Sequence, residues 1–117
     1  MRWTWLGHAC WLLESADTRI LFDPVLGETY HDGVFVFSPR RQIHLEALEP
    51  DVIVVTHRHP DHFDLPSLAL LAEQVPSALI ITSDELITGA CERLGFEVRT
   101  VGDWQRIRLP GLDLLTT

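Results

Sequence analysis

Four side chains that commonly bind metal ions lie within six residues: His57, His59, Asp61 and His62. Histidine nitrogens together with a carboxylate suit zinc, manganese or iron. His57 and His59 are two residues apart, so an extended chain points both in the same direction. Ligands that are close together in one turn cannot easily all bind a single tetrahedral ion, but they can bind two ions about 3.5–4 Å apart. The spacing therefore predicts a dinuclear metal site.

The flanking sequence predicts the elements that hold this cluster. Residues 51–56, "DVIVVT", form a continuous apolar run, which is typical of a buried strand. Pro60 favours a bend inside the cluster. Asp64 is a suitable N-cap for a helix over residues 65–74. The cluster is thus expected on the loop between a buried strand and a helix.

The remaining pattern predicts an α/β layered fold in one domain over residues 1–117. Residues 24–42 lack periodicity and are expected to be an irregular, functional or mobile loop. Residues 44–48 allow one helical turn. Ser83 is expected to cap a second helix that Gly95 ends. The other predicted elements are strands over 2–6, 10–15, 18–23, 78–82 and 96–101, and a hairpin of 104–109 with 112–117.

Composition excludes several classes of protein. The formal net charge is −8, with nine arginines and no lysine, which argues against binding to a nucleic acid backbone. The first fifteen residues match neither a membrane span nor a cleavable signal, so we expect no membrane span and a cytoplasmic location. Cys10 and Cys91 form no close pair and are expected to be buried free thiols.

Two stretches resemble the metallo-β-lactamase superfamily. "THRHPDHFD" matches its HxHxDH motif, placed after a buried strand and before a helix. "WLGHACWLLES" and "RILFDP" resemble the opening of the branch that includes L-ascorbate-6-phosphate lactonase and N-acyl-phosphatidylethanolamine phospholipase D. The resemblance covers the first half of the family domain. It implies half of an αββα sandwich, a mixed sheet with helices on one face.

The resemblance also implies roles for individual residues. His57 and His59 would bind one metal, and Asp61 and His62 the second. Asp61 would also orient the bridging hydroxide, which makes it the predicted catalytic residue. Asp23, in "FDP", would support the metal loop from behind without touching the ions. His8, in the "GHA" turn, would either support the site in the same way or make a structural hydrogen bond.

The function implied is that of a metal-dependent hydrolase acting through a metal-bound hydroxide on an ester, lactone or phosphodiester. Two divalent ions are expected, zinc first, with manganese or iron as alternatives. The family's later ligands lack matching positions, so each metal keeps two ligands. The alternative is a catalytically incomplete half domain that binds metal weakly or acts with another chain, as a homo-oligomer or with a missing C-terminal half.

The substrate is expected to be a small molecule whose contacts the sequence does not identify. Arg40 and Arg41 are candidates for a substrate phosphate, against the simpler interpretation of a solvated pair on a loop. Tyr30 and His31 share that loop and are candidates for a pocket wall. The four tryptophans are expected in the core rather than in a substrate platform: Trp3, Trp5, Trp11 and Trp104.

Overall fold

A six-stranded mixed sheet forms the centre of the computed structural model, which describes residues 1–117. The strands are β1 (Arg2–Gly7), β2 (Cys10–Glu14), β3 (Arg19–Phe22), β4 (Thr29–Tyr30), β5 (Phe35–Val36), β6 (Val52–Val54), β7 (Leu79–Thr82), β8 (Glu97–Thr100), β9 (Arg106–Leu109) and β10 (Leu112–Leu115). The order in the sheet is β1-β2-β3-β6-β7-β8. The first three strands pair antiparallel, and β3, β6, β7 and β8 pair parallel. The expected mixed sheet is confirmed.

Two helices cover one face of this sheet, as expected. Helix α1 spans Leu65–Gln74 and helix α2 spans Glu85–Arg93. The helices and the sheet share one core of apolar side chains, which includes Leu12, Leu21, Ile53, Leu68, Leu71, Ile80, Ile87 and Cys91. Both cysteines are free and buried, in agreement with the sequence. Neither helix has the length and apolar character needed to cross a membrane.

The structure confirms the predicted N-cap of helix α1 but not that of helix α2. The Asp64 carboxylate accepts a hydrogen bond from the Ser67 backbone N–H at 3.1 Å, so it caps α1 as predicted. The prediction that Ser83 caps α2 is wrong. Asp84 takes that position, because its carboxylate accepts from the Leu86 N–H at 2.9 Å.

The second face of the sheet is covered only in part. The β9–β10 hairpin packs over a cluster that includes Ile20, Val52, Ile81 and Ile107. The Thr18 hydroxyl donates to the Pro110 carbonyl and ties the hairpin tip to the turn before β3. Beyond the hairpin, the face over β1 and β2 has no further layer.

The tryptophans were expected in the core, and this prediction is wrong. Trp3, Trp5 and Trp11 are 55%, 59% and 39% exposed, and Trp104 is 72% exposed. The first three stand on the uncovered part of the sheet face. There Trp3 packs edge-on against Trp11 at 6.3 Å between ring centroids and stacks on Phe22 at 5.8 Å. We call Trp3, Trp5, Trp11 and Phe22 the aromatic face.

The region predicted to be an irregular loop contains a small hairpin of β4 and β5, and the predicted helical turn is a 3-10 helix over Leu45–Ala47.

The directions of the strands determine which segments of the chain can form the site. Since β1 and β3 both run antiparallel to β2, they point the same way as each other and as β6 and β7. The segments that follow β1, β3, β6 and β7 therefore meet at one edge of the sheet.

Candidate metal centre

A tight turn presents the predicted ligands at this edge. Strand β6 is followed by buried Val55, which anchors the start of the loop. The backbone N–H groups of His62 and Phe63 both donate to the His59 carbonyl at 2.9 Å. Pro60 occupies the second position of this turn, where its fixed φ is favourable. The turn folds Asp61 and His62 back towards the strand ends.

Asp23 lies beneath the turn and is 4% exposed. One carboxylate oxygen accepts from the Thr56 backbone N–H at 2.7 Å. The other accepts from the Thr56 hydroxyl at 2.8 Å and from His62 Nδ1 at 2.7 Å. Its φ of 43° is a left-handed conformation that aspartate tolerates better than most residues. Asp23 thus contacts the loop that it was expected to support, and its role towards a metal remains a prediction.

These hydrogen bonds determine which histidine nitrogens are free. A carboxylate only accepts, so the proton between Asp23 and His62 is on Nδ1, and in the neutral imidazole Nε2 keeps its lone pair. The single hydroxyl proton of Thr56 goes to Asp23, so at 2.9 Å His57 Nδ1 donates to that hydroxyl oxygen. His57 Nε2 is then free as well. A ligating histidine that donates its other N–H in this way is oriented and made more basic.

His8 reaches the site from the β1–β2 turn. Its Nε2 lies 2.8 Å from an Asp61 carboxylate oxygen, and His62 Nε2 lies 3.6 Å from the same oxygen. Partial burial alone would raise the pKa of Asp61. The hydrogen bond with His8 and the nearby charges outweigh that effect and lower it, so the carboxylate stays ionised. The sequence left the function of His8 open, and no spacing rule links residues 8 and 61.

The structure groups the predicted ligands differently from the sequence. The side chains of His8, Asp61 and His62 offer ligand atoms that all lie within 4.8 Å of one another. His57 lies next to this group, with its ring centroid 4.0 Å from that of His62 and 4.7 Å from that of His59. His57 and His59 do not belong to the three-residue group. Imidazole nitrogens beside a carboxylate are a donor set that fits a divalent transition metal.

Arg41 and Arg40, the candidates for phosphate binding, already have partners. The Arg41 guanidinium donates to the carbonyls of Leu6 at 3.1 Å, Val25 at 2.8 Å and Gly27 at 2.7 Å, and it lies 3.5 Å above the Phe37 ring centroid. Burial lowers its pKa. Arg40 pairs with Glu28 on the surface. Arg41 therefore serves the loop structure, and Arg40 is the more available of the two.

A cavity of about 560 Å³ adjoins the site on the His8 side. Trp5, His8, Tyr30 and Phe37 line it, with Arg40 and Arg41 at one wall. Tyr30 was a candidate for such a wall and is part of it. His31 does not line the cavity and instead packs against Phe35, with 5.7 Å between ring centroids.

One charged residue inside the motif has a role that the sequence did not suggest. Arg58 makes two hydrogen bonds to the Asp84 carboxylate, at 2.7 and 2.8 Å. Asp84 also caps α2, so the pair joins the metal loop to the start of the next helix. The parallel order of β6 and β7 is the signal that could have identified it, because it places the ends of these strands side by side.

Comparisons with known proteins define the class of this site. The β-lactamase superfamily domain matches residues 2–116. A metal-dependent hydrolase of Methanosarcina mazei is 44% identical over 59 residues, which cover 50% of this chain and 21% of the relative. The cytidine monophosphate-N-acetylneuraminic acid hydroxylase of Cricetulus griseus is 29% identical over 113 residues, covering 89% of this chain and 20% of that enzyme.

A solved structure gives the same result for the fold. A possible metal-dependent hydrolase from Veillonella parvula superposes with a TM-score of 0.71 and 25% identity, covering 97% of this chain and 46% of that one. Since the family match spans nearly the whole sequence, the chain belongs to the metallo-β-lactamase superfamily. It corresponds to the N-terminal half of that fold, and it spans less than half the length of each of these three proteins.

Proposed function

We propose that residues 1–117 are the N-terminal part of a metallo-β-lactamase-like domain, and that the whole domain hydrolyses a small ester, lactone or phosphodiester with two divalent metal ions, zinc first. The observation that carries the proposal is the buried Asp23, which holds His62 and, through Thr56, His57 with their Nε2 atoms free. Histidines that bind metal typically donate their second N–H to a carboxylate or another polar group in this way.

The residues of this chain would divide the work. His57, His59, Asp61 and His62 would hold the ions, which would supply Lewis acidity and lower the pKa of water. Asp61 would accept a hydrogen bond from the attacking water and orient it towards the substrate. Asp23 would hold the ligands in place. The cavity beside His8, with its aromatic wall, would receive the part of the substrate that does not react.

Two further observations concern the location and the metal that we propose. The two free, buried thiols agree with the cytoplasmic location proposed from the sequence. The donor set of histidines and a carboxylate also suits iron, so iron is among the metals to be tested.

The test uses the protein expressed from the complete reading frame that encodes these residues. We expect about two metal ions per chain and turnover of an activated phosphodiester or lactone. His59→Ala should abolish turnover, whereas His44→Ala, an exposed histidine away from the site, should leave it unchanged. Turnover that survives His59→Ala or removal of metal by a chelator would contradict the proposal.

The second candidate is a half domain that binds metal weakly or acts only with another chain. The exposed aromatic face favours this second candidate, because an exposed apolar surface of this kind is typical of a contact with another layer or chain. A complete reading-frame product that carries no more metal than residues 1–117 and turns over none of these substrates would support this alternative.

A further inference from the structure

The β1–β2 turn brings a histidine from outside the motif into the metal centre. We propose that His8 is itself a metal ligand, and that His8, Asp61 and His62 form a three-ligand site for one divalent transition metal within residues 1–117. The proposal rests on the proposed function only in taking Asp61 and His62 as ligands. It changes the role of His8 from a support for Asp61 to a direct bond with the ion.

The distances between the donor atoms fit a shared ion. His8 Nε2 and His62 Nε2 lie 2.8 and 3.6 Å from the same Asp61 oxygen, and the three donors lie within 4.8 Å of one another. In a tetrahedral shell with bonds of about 2.1 Å, donors are about 3.4 Å apart. Small side-chain rotations therefore place all three around one centre and leave a fourth position open.

The backbone around His8 is strained in a way that aims the imidazole at Asp61. His8 has a φ of 51°, a left-handed conformation that is uncommon outside glycine, and Gly7 has a φ of 111°. A Cβ at Gly7 would collide with the Arg41 side chain. The Trp5 indole N–H donates to the His8 carbonyl at 2.9 Å and holds the turn in this shape. Such strain is typical of positions where a side chain must be presented precisely.

Neighbouring side chains also orient His62 and flank His8. His62 donates its Nδ1–H to buried Asp23, so its Nε2 faces Asp61 and is available to bind a metal ion. The Tyr30 ring lies nearly parallel to the His8 imidazole, with 6.2 Å between ring centroids. Two imidazoles and one carboxylate with an open position are the donors of catalytic zinc sites in other folds.

A simple hydrogen bond between His8 and Asp61 is the competing explanation, and one variant separates the two. Glutamine at position 8 keeps a hydrogen-bond donor for Asp61 but is a poor ligand for zinc or cobalt. If His8 only supports Asp61, His8→Gln should bind metal almost as well as the wild type. If His8 is a ligand, His8→Gln should behave like His8→Ala.

The experiment is a titration of residues 1–117 with Co²⁺, followed by visible absorption, with Zn²⁺ competition to measure affinity. We expect one Co²⁺ per chain with the intense bands of a low-coordinate site. His8→Ala and His8→Gln should each weaken binding by about 100-fold or more, beyond the roughly 10–100-fold effect typical of residues that only support a ligand. His44→Ala serves as the control and should bind like the wild type.

A direct measurement covers the case in which a variant folds poorly. In the wild-type chain, Zn²⁺ should shift the Nε2 resonance of His8 in a long-range ¹H–¹⁵N spectrum together with that of His62. Unchanged His8 resonances on saturation, wild-type affinity in His8→Gln, or no Co²⁺ binding by the wild type would each overturn the proposal. Turnover by the complete protein is a separate measurement. Loss of turnover would contradict the proposed function without affecting this metal site, and absence of His8 from the metal site would not contradict the proposed function.

Discussion

Asp23 connects more of the candidate site than any other side chain. It accepts hydrogen bonds from Thr56 and His62 while almost fully buried, so two of the predicted ligands take their orientation from one carboxylate. A buried carboxylate of this kind is stable only while every oxygen has partners. The residue identity was predictable from the "FDP" resemblance, whereas the relay through the Thr56 hydroxyl to His57 depends on side-chain positions that no spacing encodes.

We expect Asp23→Asn to lower metal affinity by roughly 10–100-fold, because an amide holds His57 and His62 less firmly in the required tautomer. Zn²⁺ competition on residues 1–117 measures this. Asp103→Asn changes an exposed carboxylate far from the loop along the chain and should have no effect. Equal affinity in both variants would show that Asp23 does not support the ligands.

The two thiols give a pH dependence of stability. Burial raises the pKa of Cys10 and of Cys91 to about 11, from an ordinary value of 9.0. Between these values the unfolded chain loses the thiol protons while the folded chain keeps them, so stability falls as pH rises. At about pH 10.5 the loss should reach up to about 2 kcal/mol per thiol relative to neutral pH.

Urea unfolding at neutral and alkaline pH measures this loss. The Cys10→Ala, Cys91→Ala double variant is the control, because other groups titrate equally in both proteins. A double variant with the same alkaline slope as the wild type would exclude the thiols as the cause.

At the scale of elements, the first turn of α1 does more than start a helix. Asp64 accepts from the Ser67 N–H and from the Ser67 hydroxyl, at 3.1 and 2.5 Å. The same Ser67 hydroxyl oxygen accepts from the Leu26 N–H at 2.8 Å. The cap therefore joins the helix to the segment after β3, beside the metal loop.

Asp64→Ala should lower the free energy of unfolding by about 1 kcal/mol or more, within the range of roughly 0.5–2 kcal/mol for lost caps. Glu73→Ala, an exposed position in the same helix, should change it little. Chemical denaturation gives both values. Equal stability in the two variants would mean that the cap contributes nothing.

The elements themselves were largely predictable, for a physical reason. The buried strands β6 and β7 and helix α1 have strong apolar patterns and clear boundary residues, and they appear where expected. The cap of α2 was misplaced by one residue because serine and aspartate are both good caps. The β4–β5 hairpin was missed because two-residue strands carry no periodicity. The tryptophans were misplaced because a local pattern shows that a side chain is apolar, but not whether another layer covers it.

At the scale of the whole molecule, the sheet has two unequal faces. The helical face is closed, whereas the aromatic face leaves Trp3 and Trp5 more than half exposed. Apolar surface of this kind in a folded chain is typical of a surface that contacts another layer or chain. This agrees with relatives that are much longer than the matched segment.

We expect residues 1–117 to self-associate at micromolar concentration through the aromatic face. Trp3→Thr combined with Trp11→Thr removes much of that apolar surface and should shift the chain towards monomer, by about 10-fold in dissociation constant or more. Trp104→Asn removes a still more exposed tryptophan from a different position and should not cause this shift. Sedimentation velocity distinguishes these results, and a strictly monomeric wild type would disprove the expectation.

The Arg41 contacts have a consequence for motion. Its guanidinium fastens the segment that contains β4 and β5 to the carbonyls of Leu6, Val25 and Gly27, whereas the hairpin itself is short and mostly exposed. Such a segment opens locally at far lower free energy than the buried strands beside it. Because Tyr30 and Phe37 form part of the cavity wall, we expect local opening of this segment to widen the cavity while the turn that carries His59 and Asp61 stays folded. We therefore expect access to the cavity and stability of the metal loop to depend on separate parts of the chain.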